Sequence, residues 1–173
     1  ANEDDSVWVA FNGEIYNHAA LRAGLESQGH RFRTRSDTEV LVHLWEQHGE
    51  DMPRFLEGMF AFAIWDCRKH KLFLARDRFG KKPLYYTAGV WKGGAIAFAS
   101  ELKALEELPG FAPRIRPEAV ADFLSLGYVP DPRSIYQGVH KLAPATSICW
   151  DAARGLASPV RYWRLEFAPG AAQ

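Results

Sequence analysis

Hydrophobic and polar positions switch between two periods along this chain. Val7-Trp8-Val9-Ala10-Phe11 is a β-branched and aromatic run that predicts a strand. Asn12-Gly13, a dipeptide that favours positive φ, is expected to end it in a tight turn. From His18 to Gln28 the pattern becomes helical, with Leu21 and Leu25 on one face and Gly29 placed to close the helix. Ser36-Asp37-Thr38-Glu39 reads as a capping box for a second helix carrying Val40, Leu41, Leu44 and Trp45. Glu50 to Glu57 predicts a short further helix with Pro53 in its first turn.

Phe60 to Trp65 differs in kind. Phe60, Phe62 and Ile64 alternate with Ala61, Ala63 and Trp65, so both faces are apolar and the predicted strand should be covered on both sides. Leu72 to Ala75 follows a polar turn, which predicts a hairpin. Further strands are expected at Leu84 to Thr87 and Ala95 to Ala99. Ser100 is expected to cap a short helix ending near Leu108-Pro109-Gly110. Pro117 opens another helix, with Val120, Phe123 and Leu124 as its apolar face and Gly127 at its end. Loops and short strands run on to Tyr162-Trp163, and Ala168 to Gln173 reads as linker. No internal repeat occurs. Strands that come as hairpins beside helices argue an α+β fold with a layered, mostly antiparallel core.

The 173 residues fit one domain, or one domain with a small appendage, and an apolar fraction of 47% with six tryptophans supplies a core. Lys+Arg and Asp+Glu are both 21, so no basic excess exists to neutralise a phosphate backbone, and nucleic acid is not an expected partner. The densest cationic stretch, Arg76 to Lys82, is interrupted by Asp77 and reads as a solvated turn. Cys67 and Cys149 are too few for a disulfide framework and neither forms a CxxC pair. No apolar run is long enough to cross a bilayer and the start shows no signal pattern, so a cytoplasmic protein without membrane contact is expected. The polar opening Ala1 to Asp5 suits a natural start or a cut at a loop.

Common catalytic signatures are missing: no G-x-S-x-G, no P-loop, no HExxH. His43 and His48 are five apart, which does not place two ligands on one helical face, and no metal site is expected. Three segments remain. In Phe11 to Asn17, the Asn12 amide and the Gly13 N–H could together stabilise an oxyanion, although on the dipeptide alone a simple turn is the preferred reading. In Ser36 to Glu39, a capping role for the segment leaves Asp37 able to meet an ammonium group. Arg76-Asp77, in a charged loop between strands, reads as an internal tie.

These segments, in this order, resemble the glutaminase domain of the asparagine synthetases, a class II glutamine amidotransferase domain. The match comprises FNGEIYN (Phe11 to Asn17), RSDTEV (Arg35 to Val40), GMFAFAIWD (Gly58 to Asp66), LFLARDRFGKKPLYY (Leu72 to Tyr86), ASELKAL (Ala99 to Leu105) and GYVPDPRSIYQGVHKLAP (Gly127 to Pro144). The resemblance implies a four-layer αββα sandwich of the N-terminal-nucleophile hydrolase type. It also implies a cysteine thiolate at the mature N-terminus that attacks the glutamine side-chain amide, with its own α-amine as base. Asn12 and Gly13 then correspond to the oxyanion hole, Asp37 to the group holding the substrate α-ammonium, and Glu14 to the pocket wall. Arg76 and Asp77 are carried over as architecture.

Ala1 is not that nucleophile, and neither Cys67 nor Cys149 occupies its position. The expectation is therefore a partial domain over residues 1–165, its N-terminal portion and the arginine gripping the substrate carboxylate lying upstream. Residues 166–173 are expected to lead toward a synthetase domain using ATP and magnesium, no cofactor being expected in this domain. Pro144-Ala145-Thr146 stands where the family has a Pro-Gly-His-like segment. Glutamine is the expected ligand, aspartate the default nitrogen acceptor, and a homodimer is left open. The alternative is a non-catalytic scaffold or binding domain of the same fold, as in relatives that lack the nucleophile.

Overall fold

A computed structural model describes residues 1–89 and 94–167. Strand β1 (Val7–Ile15) is followed by helices α1 (His18–Ser27) and α2 (Glu39–His48), a 3₁₀ segment at Gly49–Phe55, and the hairpin β2 (Gly58–Asp66) and β3 (Lys71–Arg76). Then come β4 (Tyr85–Ala88), β5 (Ile96–Ala99), α3 (Leu102–Glu106) and α4 (Pro117–Leu126), with β6 (Val139–Lys141), β7 (Thr146–Asp151), β8 (Gly155–Leu156) and β9 (Val160–Arg161) closing the order. One sheet runs β1-β2-β3-β7-β8 with β9 also on β7, and a second runs β5-β4-β6. Every pairing between these strands is antiparallel.

The two-faced pattern of β2 organises the core. Phe60, Phe62 and Ile64 pack with Val40, Leu41, Leu44 and Trp45 of α2, while Ala61 and Ala63 pack with Leu84 and Tyr86 of the second sheet. Small residues on the sheet-to-sheet face and large ones toward the helices let the layers approach closely on one side and fill the wider gap on the other. α3 packs on β5, and α4 is tied to the segment before β6 by Arg116 N–H on Ile135 O and by the Arg133–Asp122 ion pair. The result is the expected α+β sandwich, with helices, two sheets and further helices in succession.

Several local expectations give way to tertiary contacts. β1 does not turn at Asn12-Gly13 but continues to Ile15, with Asn12 opposite Ala61 and Gly13 opposite Phe60. Two glycines allow this. A Cβ on Gly13 would lie 2.1 Å from Met59 O, and one on Gly58 would lie 2.1 Å from Glu14 O. The capping box does not form either: α2 begins at Glu39 with no side-chain cap. Glu39 instead accepts the N–H groups of Arg33 and Thr34. Ser100 does not cap α3, for it accepts a hydrogen bond from Asn12. Pro53 lies inside the 3₁₀ segment rather than at its start. Gly29 and Gly127 end α1 and α4 as expected, both with positive φ. The expected apolar face of α4 exists but faces solvent: Phe123 is 55% and Leu124 80% exposed. The linker expected at Ala168 to Gln173 lies outside the described residues.

Candidate active site

The free edge of β1 carries the site. Ile15 N–H points away from β2 and donates to Asp37 Oδ2 at 2.9 Å. Backbone N–H groups two residues apart on a strand share a direction, so the Gly13 N–H is also aimed outward from this edge. Gly13, Glu14 and Asp37 thus line one open pocket of about 410 Å³, together with His18, Arg35, Ser36 and Met59. Asn17 fixes the far end of the edge: its amide donates to Phe55 O and accepts from Glu57 N–H. That clasp sets where α1 departs from β1 and keeps His18 beside the pocket.

Asn12 is next to Gly13 but its side chain lines a neighbouring cavity of about 140 Å³ between the two sheets, with Ala61, Ala63, Phe98 and Ser100. Its Nδ2 donates to Ser100 Oγ at 3.0 Å. An amide nitrogen has two protons, so this bond fixes the side chain and leaves a second donor for a ligand oxygen. Three of the four residues flagged from sequence share one pocket, and the fourth joins them through a single peptide link at its wall.

Two groups the sequence reading did not flag also stand here. Arg35 lines the pocket beside Asp37, giving it both charges that an amino-acid zwitterion presents. Its position two residues before a flagged carboxylate was the available signal. Ser100 orients Asn12 across 88 positions of sequence, which no local pattern can reveal.

Arg76 and Asp77 lie elsewhere in role. Asp77 accepts N–H groups from Phe60, Phe79, Lys81 and Lys82. Arg76 donates to Gly80 O, Lys82 O and Leu142 O and pairs with Asp131 at 3.1 Å. With every strong donor and acceptor turned inward, the pair holds the loop, as expected of an internal tie. Neither cysteine is placed for attack in the pocket. Cys67 follows the end of β2 and its N–H is bound to Ser6 O. Cys149 lies on β7, and burial, reinforced by the Glu50 charge, pushes its thiol up to about 11. A thiol held there is mostly protonated at neutral pH and a poor nucleophile.

The family model of the glutamine amidotransferase domain matches residues 1–163, and the chain belongs to that family, in the class II form. Its sequence is 42% identical over 144 residues to asparagine synthetase [glutamine-hydrolyzing] 1 of Bacillus subtilis, covering 83% of this chain and 22% of that protein. It is 51% identical over 106 residues to asparagine synthetase [glutamine-hydrolyzing] 3 of Arabidopsis thaliana, covering 61% of this chain and 18% of that one. Among solved structures, a glutamine phosphoribosylpyrophosphate amidotransferase from B. subtilis superposes with a TM-score of 0.58 at 23% identity, over 94% of this chain and 30% of that chain. That likeness establishes the shared fold. The chain spans about a fifth of the length of these curated relatives.

Proposed function

We propose that this domain binds glutamine and promotes hydrolysis of its side-chain amide, supplying ammonia to an ATP-activated carboxylate, aspartate by default, in an asparagine-synthetase-like protein. The observation that carries the reading is the shared edge of β1, where the Gly13 N–H and the carboxylate anchored on Ile15 N–H open onto one pocket. The glutamine α-ammonium would pair with Asp37, with Glu14 forming the wall and Arg35 at the mouth. As a thiolate attacks the amide carbon, its carbonyl oxygen gains negative charge that, on this reading, the second Asn12 Nδ2–H and the Gly13 N–H would receive. Such donors act in the transition state more than in the ground state, and losing one typically costs about 2.7–4 kcal/mol.

The thiolate is, by resemblance, an N-terminal cysteine, and Cys67 and Cys149 do not serve in its place. Activation of the acceptor, with ATP and magnesium, is assigned to the synthetase part of such a protein. The solvent-facing apolar side of α4 supports contact with that part, since the curated relatives are several times longer than this chain.

The decisive experiment is glutamate release from glutamine by the full-length gene product. Asn12→Ala is expected to lower kcat about 10²–10³-fold with KM changed far less, whereas Asp37→Asn is expected to raise KM first. Unchanged kcat in Asn12→Ala removes the oxyanion assignment. A scaffold of the same fold is the competing reading, and it predicts no glutamine turnover at all and no glutamine binding at Asp37.

A further inference from the structure

On the helix side of the large sheet, away from Asn12 and Ser100, a second group of polar side chains converges. His43 of α2 is fully buried. Its Nδ1 lies 3.1 Å from Glu46 Oε2 and 3.8 Å from Glu3 Oε2. His30, just past α1, puts its own Nδ1 3.5 Å from the same Glu46 oxygen. On the opposite side of the ring, His43 Nε2 has no hydrogen-bond partner and stands 3.9 Å from Glu39 Oε1. Among the described residues, no lysine or arginine side chain forms an ion pair with Glu3, Glu39 or Glu46.

This arrangement is poorly served by a neutral imidazole alone. A ring with one proton presents a lone pair on its other nitrogen, and each nitrogen of His43 faces a carboxylate. With the proton on Nδ1 the ring donates to Glu46, and its buried Nε2 lone pair is left facing Glu39; with the proton on Nε2, the Nδ1 lone pair meets Glu46 instead, and either mismatch is costly at a fully buried ring. A cation on the Nδ1 side resolves the conflict, because the proton then sits on Nε2 and points at Glu39. A ligating histidine whose other N–H is directed to a carboxylate is the usual outer-shell pattern around protein-bound metals.

We propose that Glu3, His30 and His43, whose ligand atoms lie within 4.8 Å of one another, with Glu46 beside the two imidazoles, bind a divalent transition-metal ion of the zinc class. The geometry supports this in two independent ways. First, a tetrahedron with zinc bonds of about 2.0–2.2 Å has edges of about 3.3–3.6 Å, and three of its six edges, at 3.1, 3.5 and 3.8 Å, lie near that range, with the Glu3, His30 and His43 ligand atoms all within 4.8 Å of one another. Second, each carboxylate has one oxygen already fixed by an amide. Asn2 Nδ2–H holds Glu46 Oε1 at 2.6 Å, and the Arg31 N–H holds Glu3 Oε1 at 2.9 Å. The Oε2 atom of each is thereby left aimed at His43. Two imidazoles and two carboxylates form a mixed nitrogen and oxygen set that suits zinc better than magnesium or calcium.

The ion would join three separate segments: the turn before β1, the end of α1 and the middle of α2. Its role is to clamp these together, remote from any step at Asn12. The spacing of His43 and His48, which argues against a metal, does not bear on this site, since His48 stacks on Phe55 instead.

The test uses the whole chain after treatment with a chelator. Titration with Co²⁺ is expected to give the intense visible bands of a tetrahedral site, saturating near one ion per chain and displaced by Zn²⁺. Glu3→Gln combined with His30→Gln is expected to weaken binding at least about tenfold. Zn²⁺ should raise the Tm of the wild-type chain and leave that of the variant unchanged. X-ray absorption of the zinc-loaded wild type, which needs no variant, should report two imidazoles among four light ligands. Absence of the Co²⁺ bands, equal affinity in wild type and a folded variant, or a spectrum without imidazole scattering would each overturn the proposal.

Discussion

Asp66 lies at the end of β2, where burial works against its ionisation. The indole N–H of Trp45 and the backbone N–H and ammonium of Lys69 outweigh that penalty and hold its carboxyl below the ordinary aspartate range. A group depressed in the folded state contributes stability above its unfolded pKa and loses it as pH falls through the folded value. The wild-type chain is therefore expected to lose stability below about pH 4, and Asp66→Asn should flatten that dependence. Urea unfolding at pH 7 and pH 3 checks this, and equal losses in both proteins would refute it. Ala145 presents a different balance. It is fully buried with φ at 56°, a backbone conformation that favours glycine. An alanine in the left-handed region costs about 1–2 kcal/mol. Removing its methyl forfeits about 0.8 kcal/mol of burial and adds backbone entropy of about 0.5–1 kcal/mol to the unfolded chain. These nearly cancel, so Ala145→Gly is expected to leave the Tm within about 2 °C. The same change at Ala63, extended in β2, has no strain to release and should be clearly destabilising.

At the scale of elements, the contact between β1 and β2 depends on two positions without side chains. Gly13 and Gly58 each face backbone of the other strand at a distance no Cβ tolerates. Gly58→Ala forces the strands apart at the pair opposite Ile15, whose N–H holds Asp37. Overpacking of this kind typically costs about 1–3 kcal/mol, and because the obstacle is a carbonyl rather than a flexible side chain, the upper end is expected. Denaturant midpoints measure that loss. Glutamine affinity should fall with it, since Asp37 moves with the strand, and unaltered affinity in a destabilised Gly58→Ala protein would detach the carboxylate from this edge.

For the molecule as a whole, α4 is the conspicuous surface. Phe123, Leu124, Leu126 and Tyr128 stand more than half exposed, while Ala119 is the buried residue of the helix. Contiguous apolar area of this kind marks an interaction site or an aggregation liability, and the open edge of β1 adds unpaired backbone. The chain is expected to self-associate in solution, and Phe123→Glu with Leu124→Glu should restore a monomer with little change in Tm. Sedimentation at two concentrations distinguishes the outcomes. A wild-type chain that stays monomeric, or a doubly charged variant that unfolds, would count against the assignment of this face to the synthetase part. Among the described residues, no helix is long and apolar enough to cross a membrane.

The chain by itself determined the elements and the layering. Periodicity placed the helices and hairpins, because burial on one face of a helix or both faces of a strand writes itself into residue order. The two-sided apolar run of β2 announced that both its faces are covered, and the structure supplies a helix on one and the second sheet on the other. The chemically informative segments were equally legible, since Asn12, Gly13, Glu14 and Asp37 sit in local motifs. Tertiary structure alone decided how the polar groups were used. Asn12-Gly13 has a local preference for turning, yet pairing with β2 holds it extended, because ladder bonds and packing outweigh a turn propensity. Ser36 and Ser100 look like helix caps, but their elements begin elsewhere and Ser100 meets Asn12 instead. The convergence of Glu3, His30, His43 and Glu46 is invisible along the chain for the same reason: long-range polar contacts depend on which surfaces the core brings together, and short-range sequence order carries no record of that distance.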